Sequence, residues 1–187
     1  MNRWTISCLA VSITAIWSAS TSVTAAALAD AGRSQVKFIA QQSGAALEGS
    51  FHRFSADVDL DPLHPQGARI KVAIDLASVD AGGTDANNLL KGPDFFDVTR
   101  FPSATFVASS VVATGPGTYQ ATGPFTLKGR TAQLVIAFAS RTDETGQWFE
   151  GNAPISRLAF GVGQGQWSDV STLDDEVQIQ FKVHLTH

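Results

Sequence analysis

The sequence predicts an all-β fold, an antiparallel sheet of roughly eight to ten short strands closed on itself or folded into a sandwich. Two observations carry this. Apolar and polar residues alternate with period two along nearly every segment after Ser34, which gives each strand one buried and one wet face. Compact turn signals separate those segments: Gln42-Ser43-Gly44, Asp61-Pro62-Leu63-His64-Pro65-Gln66-Gly67, Gly115-Pro116-Gly117, Lys128-Gly129-Arg130 and Asp143-Glu144-Thr145-Gly146.

In chain order, Val36, Phe38 and Ala40 face one way against Gln35, Lys37 and Gln41. Leu47, Gly49 and Phe51 alternate with Glu48 and Ser50, and Phe54, Ala56, Val58 and Leu60 with Ser55, Asp57, Asp59 and Asp61. Ile70, Val72, Ile74 and Leu76 follow, opposite Arg69, Lys71 and Asp75. Only Thr84 to Lys91 reads as helix: Thr84 is placed to cap it, Asp85 suits its first turn, and Gly92-Pro93 ends it. Ala104, Phe106 and Ala108 resume the alternation, then Tyr119 to Leu127, then Leu134, Ile136 and Phe138. Trp148-Phe149 and Ala153 to Phe160 read as two separate strands, and Val177 to Leu185 is the cleanest of all.

Met1-Asn2-Arg3 is a short positive start, Trp4 to Val23 is uncharged and mostly apolar, and Ala27-Leu28-Ala29 precedes the first acid, Asp30. This is the pattern of a bacterial secretory signal peptide, with cleavage expected after Ala29 and with Ala25 or Ala26 as alternatives. Removing 29 of the 187 residues leaves 158, one domain (30–187) able to bury a core. The mature chain then carries 12 Lys and Arg against 17 acids, a balance that argues against nucleic acid as a partner. The one cysteine, Cys8, lies inside the signal, so the mature domain has neither disulfide nor thiol chemistry in a compartment that permits disulfides.

The stretch Leu90 to Phe106 joins two β-patterned halves and carries Phe95, Phe96, Phe101 and Phe106. A connection this apolar needs a burial site: its rings either plug one end of a core or line the mouth of an apolar pocket. Gly161-Val162-Gly163-Gln164-Gly165 lacks the lysine of a phosphate loop and the helix of a dinucleotide fold, and reads as a bulge or a close backbone approach. His52, His64, His184 and His187 have no metal-ligand spacing and read as solvated polar residues. No nucleophile elbow is present. Arg157, in an otherwise apolar segment, either snorkels to water or stands as a cation at a pocket rim.

Several segments together resemble the YceI-like, polyisoprenoid-binding family. They are Gly49 to Phe54, Phe95 to Phe106, Gly123-Pro124-Phe125-Thr126-Leu127-Lys128-Gly129, and Ile155 to Gly161 with Gly163. Gly165-Gln166-Trp167 resembles the branch found near cytochrome b561-type membrane proteins. One departure stands out: the family often carries an acid where this chain has Ala159. The resemblance implies an extended eight-stranded antiparallel lipocalin-like β-barrel in the periplasm, binding or carrying a polyisoprenoid, quinone tail or similar lipid in its tunnel. It implies no catalytic residue, metal or cofactor. The expected lining is Phe38, Phe51, Phe54, Val72, Ile74, Leu89, Phe95, Phe96, Phe101, Phe106, Phe125, Ile136, Phe138, Arg157, Phe160 and Trp167. Two alternatives stay open, a ligand-free module docking on a membrane cytochrome and a lipid-modifying enzyme, and so does a homodimer.

Overall fold

The computed structural model describes Ala29 and residues 32–186. Residues 1–28, where the signal peptide is expected, and residues 30, 31 and 187 lie outside the described residues. Eleven strand segments form one curled antiparallel sheet: β1 (Gln35–Gln42), β2 (Ala45–Phe51), β3 (Phe54–Asp59), β4 (Arg69–Asp75), β5 (Val79–Asp80), β6 (Ser103–Val107), β7 (Ser110–Gly115), β8 (Thr118–Leu127), β9 (Arg130–Asp143), β10 (Gly146–Ser156) and β11 (Glu176–Leu185). The hydrogen-bonded order is β3-β4-β6-β8-β9-β10-β11-β1-β2-β5, with β7 on β8.

The eleven segments reduce to the eight strands expected. β6 and β7 both pair with β8, and the register slips by one residue between Phe106↔Phe125 and Ser110↔Thr122. They are one strand broken by a bulge, with Ser109 N donating to Thr122 O at 2.8 Å. Gly123 faces that bulge, where a β-carbon would stand 2.0 Å from Val107 O. In the same way β2 and β3 are one strand kinked at His52-Arg53. Its first half pairs with β1 and its second with β4, so this strand carries the sheet round to itself. The kink is held from behind: His52 N donates to Ser78 O, Arg53 N to Ser78 Oγ at 3.0 Å, and Asp75 N to Arg53 O at 3.0 Å. β5 is a two-residue stub on β2.

The helix α1 (Thr84–Lys91) spans the expected residues, but Gly83 occupies the cap and no side chain bonds there. Asn87 instead reaches back, accepting from Ala81 N at 2.7 Å. The segments expected as separate strands at Trp148-Phe149 and Ala153–Phe160 are one strand, β10, which ends at Ser156. Leu158–Phe160 is a 3-10 turn, closed by Gly161 at φ 68°.

The two long connections, 76–102 and 157–175, leave strands at the same end of the barrel and clasp one another over it. Asp94 O accepts from Gly163 N (2.8 Å) and Gln164 N (2.9 Å), and the Phe95 and Trp167 rings meet at 5.5 Å. Lys128, in the β8–β9 turn, donates to Pro93 O (2.6 Å) and Gly161 O (2.8 Å), pinning both connections to the barrel.

Candidate functional site

Strand alternation aims one face of every strand inward, and those faces enclose a cavity along the barrel. Phe38 of β1, Phe51 and Phe54 on either side of the kink, Val72 and Ile74 of β4, Phe106 of β6, Phe125 of β8, and Ile136 and Phe138 of β9 all line it. Phe96 enters from the capping loop and meets Phe51 at 5.8 Å. Every lining side chain is Phe, Leu, Ile, Val or Ala. The lumen holds a cavity of about 140 Å³, well above the ~10–15 Å³ that one water needs. A water entering it would find no polar side chain to bond, so the site favours apolar guests.

The wall continues beyond the expected residues. Val36, Ala56, Val58, Ile70, Leu134, Phe149, Ile155, Ile179, Phe181 and Val183 also line it. They occupy the same alternating register, which marks Ile179-Phe181-Val183 and Val36-Phe38 equally well in the sequence.

Six of the expected lining residues stand elsewhere. Leu89 is on α1, outside the barrel, and is 41% exposed. Phe95 is buried against Trp167, in the joint between the two capping connections. Phe101 lies over Gly129, with the Arg100 guanidinium 5.2 Å from its ring centre. Phe160 is buried behind the wall, edge-on to Phe125 at 5.3 Å.

Arg157 corrects both sequence readings, because it neither snorkels to water nor stands at a rim. It is 2% exposed, and its guanidinium donates to four main-chain carbonyls, those of Asp174 (2.8 Å), Val162 (3.1 Å), Gly163 (3.1 Å) and Leu173. Burial lowers its pKa from the usual arginine value, and Asp175 and Asp174 oppose that shift. The glycine-rich run is the close backbone approach anticipated: Gly161, Gly163 and Gly165 all have positive φ, and Gly163 lies against Arg157. His184 also departs from expectation. It is fully buried, its ring tilted by 43° against Trp148 with centroids 4.4 Å apart, and lies 3.1 Å from Thr145 Oγ1.

Behind Phe160, outside the apolar wall, is a second cavity of about 280 Å³, lined by Asp94, Asp97, Arg100, Lys128, Arg130 and Gln164 among others. Arg130 donates weakly to Leu158 O and Ala159 O, at 3.5 and 3.3 Å. Burial lowers the Lys128 pKa, while the nearby charges of Asp97 and Asp94 act to raise it. The described residues contain no group of three or more His, Cys, Asp or Glu able to hold a metal ion, and no helix long and apolar enough to cross a membrane.

A curled eight-stranded antiparallel barrel around a wholly apolar lumen, capped at one end by two clasped connections, defines a lipocalin-like protein. The chain belongs to the YceI-like domain family, whose pattern it matches over residues 28–185. A UPF0312 protein of Azotobacter vinelandii is 29% identical to it, over 73% of this chain and 72% of that one. Among solved structures, Burkholderia cenocepacia BcnA is 37% identical, with a TM-score of 0.81 over 83% of this chain and 98% of that one. A polyisoprenoid-binding domain from Saccharophagus degradans shares the fold at 14% identity, with a TM-score of 0.69 over 86% of this chain and 98% of that one.

Proposed function

We propose that this protein is an exported, periplasmic carrier that holds a long apolar chain, a polyisoprenoid, quinone tail or similar lipid, in the barrel lumen. The observation that carries the reading is the lumen wall, in which no side chain is polar. Each CH₂ moved from water into such a wall gains about 0.8 kcal/mol, so affinity grows with chain length until the ordering of a flexible guest offsets it. The Saccharophagus degradans relative, described as polyisoprenoid-binding, supports the same class of ligand. The wall offers no nucleophile, acid or base, which favours binding over chemistry on the enclosed chain. A ligand-free docking role resting on Phe95 and Phe96 finds both rings buried, at 5% and 8% exposure.

Native mass spectrometry of protein exported by a bacterial host tests the proposal. An added hydrophobic mass, released on denaturation, is expected. Protein that arrives empty, and stays empty when offered quinones and prenyl alcohols, would overturn it. Recovery in the cytoplasmic fraction would sink the export half alone.

A further inference from the structure

We propose that Phe38 sets the bore of the lumen and that Gly49 holds it wide enough for a branched chain. The inference rests on the lumen being a lipid site and names the chain geometry it selects. Phe38 and Gly49 are direct cross-strand partners on β1 and β2, with both side-chain positions facing inward. A β-carbon at Gly49 would stand 2.2 Å from Phe38 Cζ and 2.5 Å from Cε1, so the far end of the ring occupies the space over the bare glycine. Gly49 sits in strand β2 without a positive φ, so backbone conformation does not demand glycine there. The next nearest atom, Asp80 O, is 3.0 Å away, so a methyl group at position 49 would displace mainly the far end of one flexible side chain.

A methyl group at position 49 would push that ring away from β2. The Phe51 ring stands on one side at 5.6 Å, and both rings line the lumen, so a Phe38 ring pushed off Gly49 narrows that space. The arrangement recurs on the neighbouring wall. Gly151 of β10 is the register partner of Phe181 of β11, and a β-carbon there would stand 2.7 Å from Phe181 Cζ. It would also stand 2.4 Å from Ala137 O, so Gly151 serves the packing of β9 as well and makes a poorer test. Two phenylalanines on adjacent strands thus fold onto the wall instead of filling the lumen. The space they leave matters most to a chain that carries a methyl branch on every isoprene unit, which is broader than a straight acyl chain.

The test compares wild type, Gly49→Ala, Phe38→Ala and the double variant Phe38→Ala/Gly49→Ala. Displacement of a fluorescent apolar dye by geranylgeraniol and by hexadecanol reads affinity, and thermal melting reads folding. Gly49→Ala is expected to weaken geranylgeraniol by about tenfold and hexadecanol far less, and the double variant is expected to recover wild-type affinity for both. If Gly49→Ala fails to fold, the comparison of Phe38→Ala with wild type decides, since Phe38→Ala is expected to improve the ratio of branched to straight binding. An unchanged ratio in Gly49→Ala, or equal losses that the double variant does not restore, would refute the assignment. Wild type that takes up neither alcohol would instead bring down the lipid reading beneath it.

Discussion

A β-carbon at Gly163 would stand 2.3 Å from Arg157 Nη1, the same nitrogen that donates to Val162 O and Gly163 O at 3.1 Å each. The glycine is required twice, for its φ of 76° and for the space the guanidinium occupies. Gly163→Ala is expected to cost at least about 1–2 kcal/mol from the left-handed backbone alone, plus whatever the clamp loses. Arg157→Leu removes the donors from four main-chain carbonyls, three of them in buried hydrogen bonds, and is expected to cost about 3–5 kcal/mol. Arg157→Lys, with three donors and no planar fork, should fall between. Because both residues serve one network, their effects should not add. Urea unfolding of the two single variants and the double variant checks this, and strict additivity would show that the clamp does not work as a unit.

The adjacent rings of Phe95 and Phe96 separate core from site. Phe96 lines the lumen and meets Phe51 at 5.8 Å, whereas Phe95 packs on Trp167 in the clasp between the capping connections. Phe95→Ala is expected to destabilise the fold by about 3–5 kcal/mol, as for other buried aromatic truncations, while leaving the ratio of long-chain to short-chain uptake unchanged. Phe96→Ala should shift that ratio, because it lengthens the lumen at its capped end. A titration with prenyl alcohols of increasing length distinguishes the two. Identical length profiles for both variants would place the blind end of the lumen away from Phe96.

Strand alternation was legible in the sequence because period two survives along the chain, and it placed Phe38, Val72, Ile74, Phe106, Phe125, Ile136 and Phe138 on the inner wall by residue number. The closure of the barrel was less legible. Nothing local to His52-Arg53 says that the strand before it pairs with β1 and the strand after it with β4. The capping loops are the least legible part. Their aromatic residues announced burial but not its side, so Phe96 fell on the lumen and Phe95, Phe101, Phe160 and Trp167 behind it. The role of Arg157 is illegible in the sequence for a related reason. Its four acceptors lie 5 to 17 residues downstream and converge only once the 157–175 connection folds back.

Ala29 bridges to Leu185, at the end of the last strand, and packs on the core. Cleavage after Ala29, the first choice from the sequence pattern, would remove a residue with a structural role, whereas cleavage after Ala25 or Ala26 would retain it. On the proposed export, the mature chain is therefore expected to retain Ala29. Intact-mass measurement of periplasmic protein decides this to the residue, and a chain beginning at Asp30 would show that the Ala29 bridge is dispensable.

At the β9–β10 turn, Asp143 collects bonds from its neighbours: from Thr145 Oγ1 (2.7 Å), Thr145 N (2.8 Å), Trp148 Nε1 (2.7 Å) and Arg141 (3.2 Å). The hydroxyl and amide of Thr145, first among these, hold its carboxyl well below the ordinary aspartate value of 3.8. A carboxylate whose pKa is lower in the folded state than in the unfolded state stabilises the fold fully above the unfolded value, and that contribution fades from there as pH falls through the folded value. Asp143→Asn should therefore flatten the acid limb of the melting curve, between about pH 5 and pH 2, relative to wild type. Asp61, Asp80, Glu150 and Asp169, also held low, remain in both proteins, so the difference isolates Asp143. Trp148 offers a local readout, since its indole N–H bonds Asp143 while Arg141 and Lys182 lie 4.8 and 4.9 Å from its ring. Its emission should shift with acid in wild type before global unfolding and stay flat in Asp143→Asn. Parallel acid limbs for the two proteins would show that the turn is held by the strands on either side and not by this carboxylate.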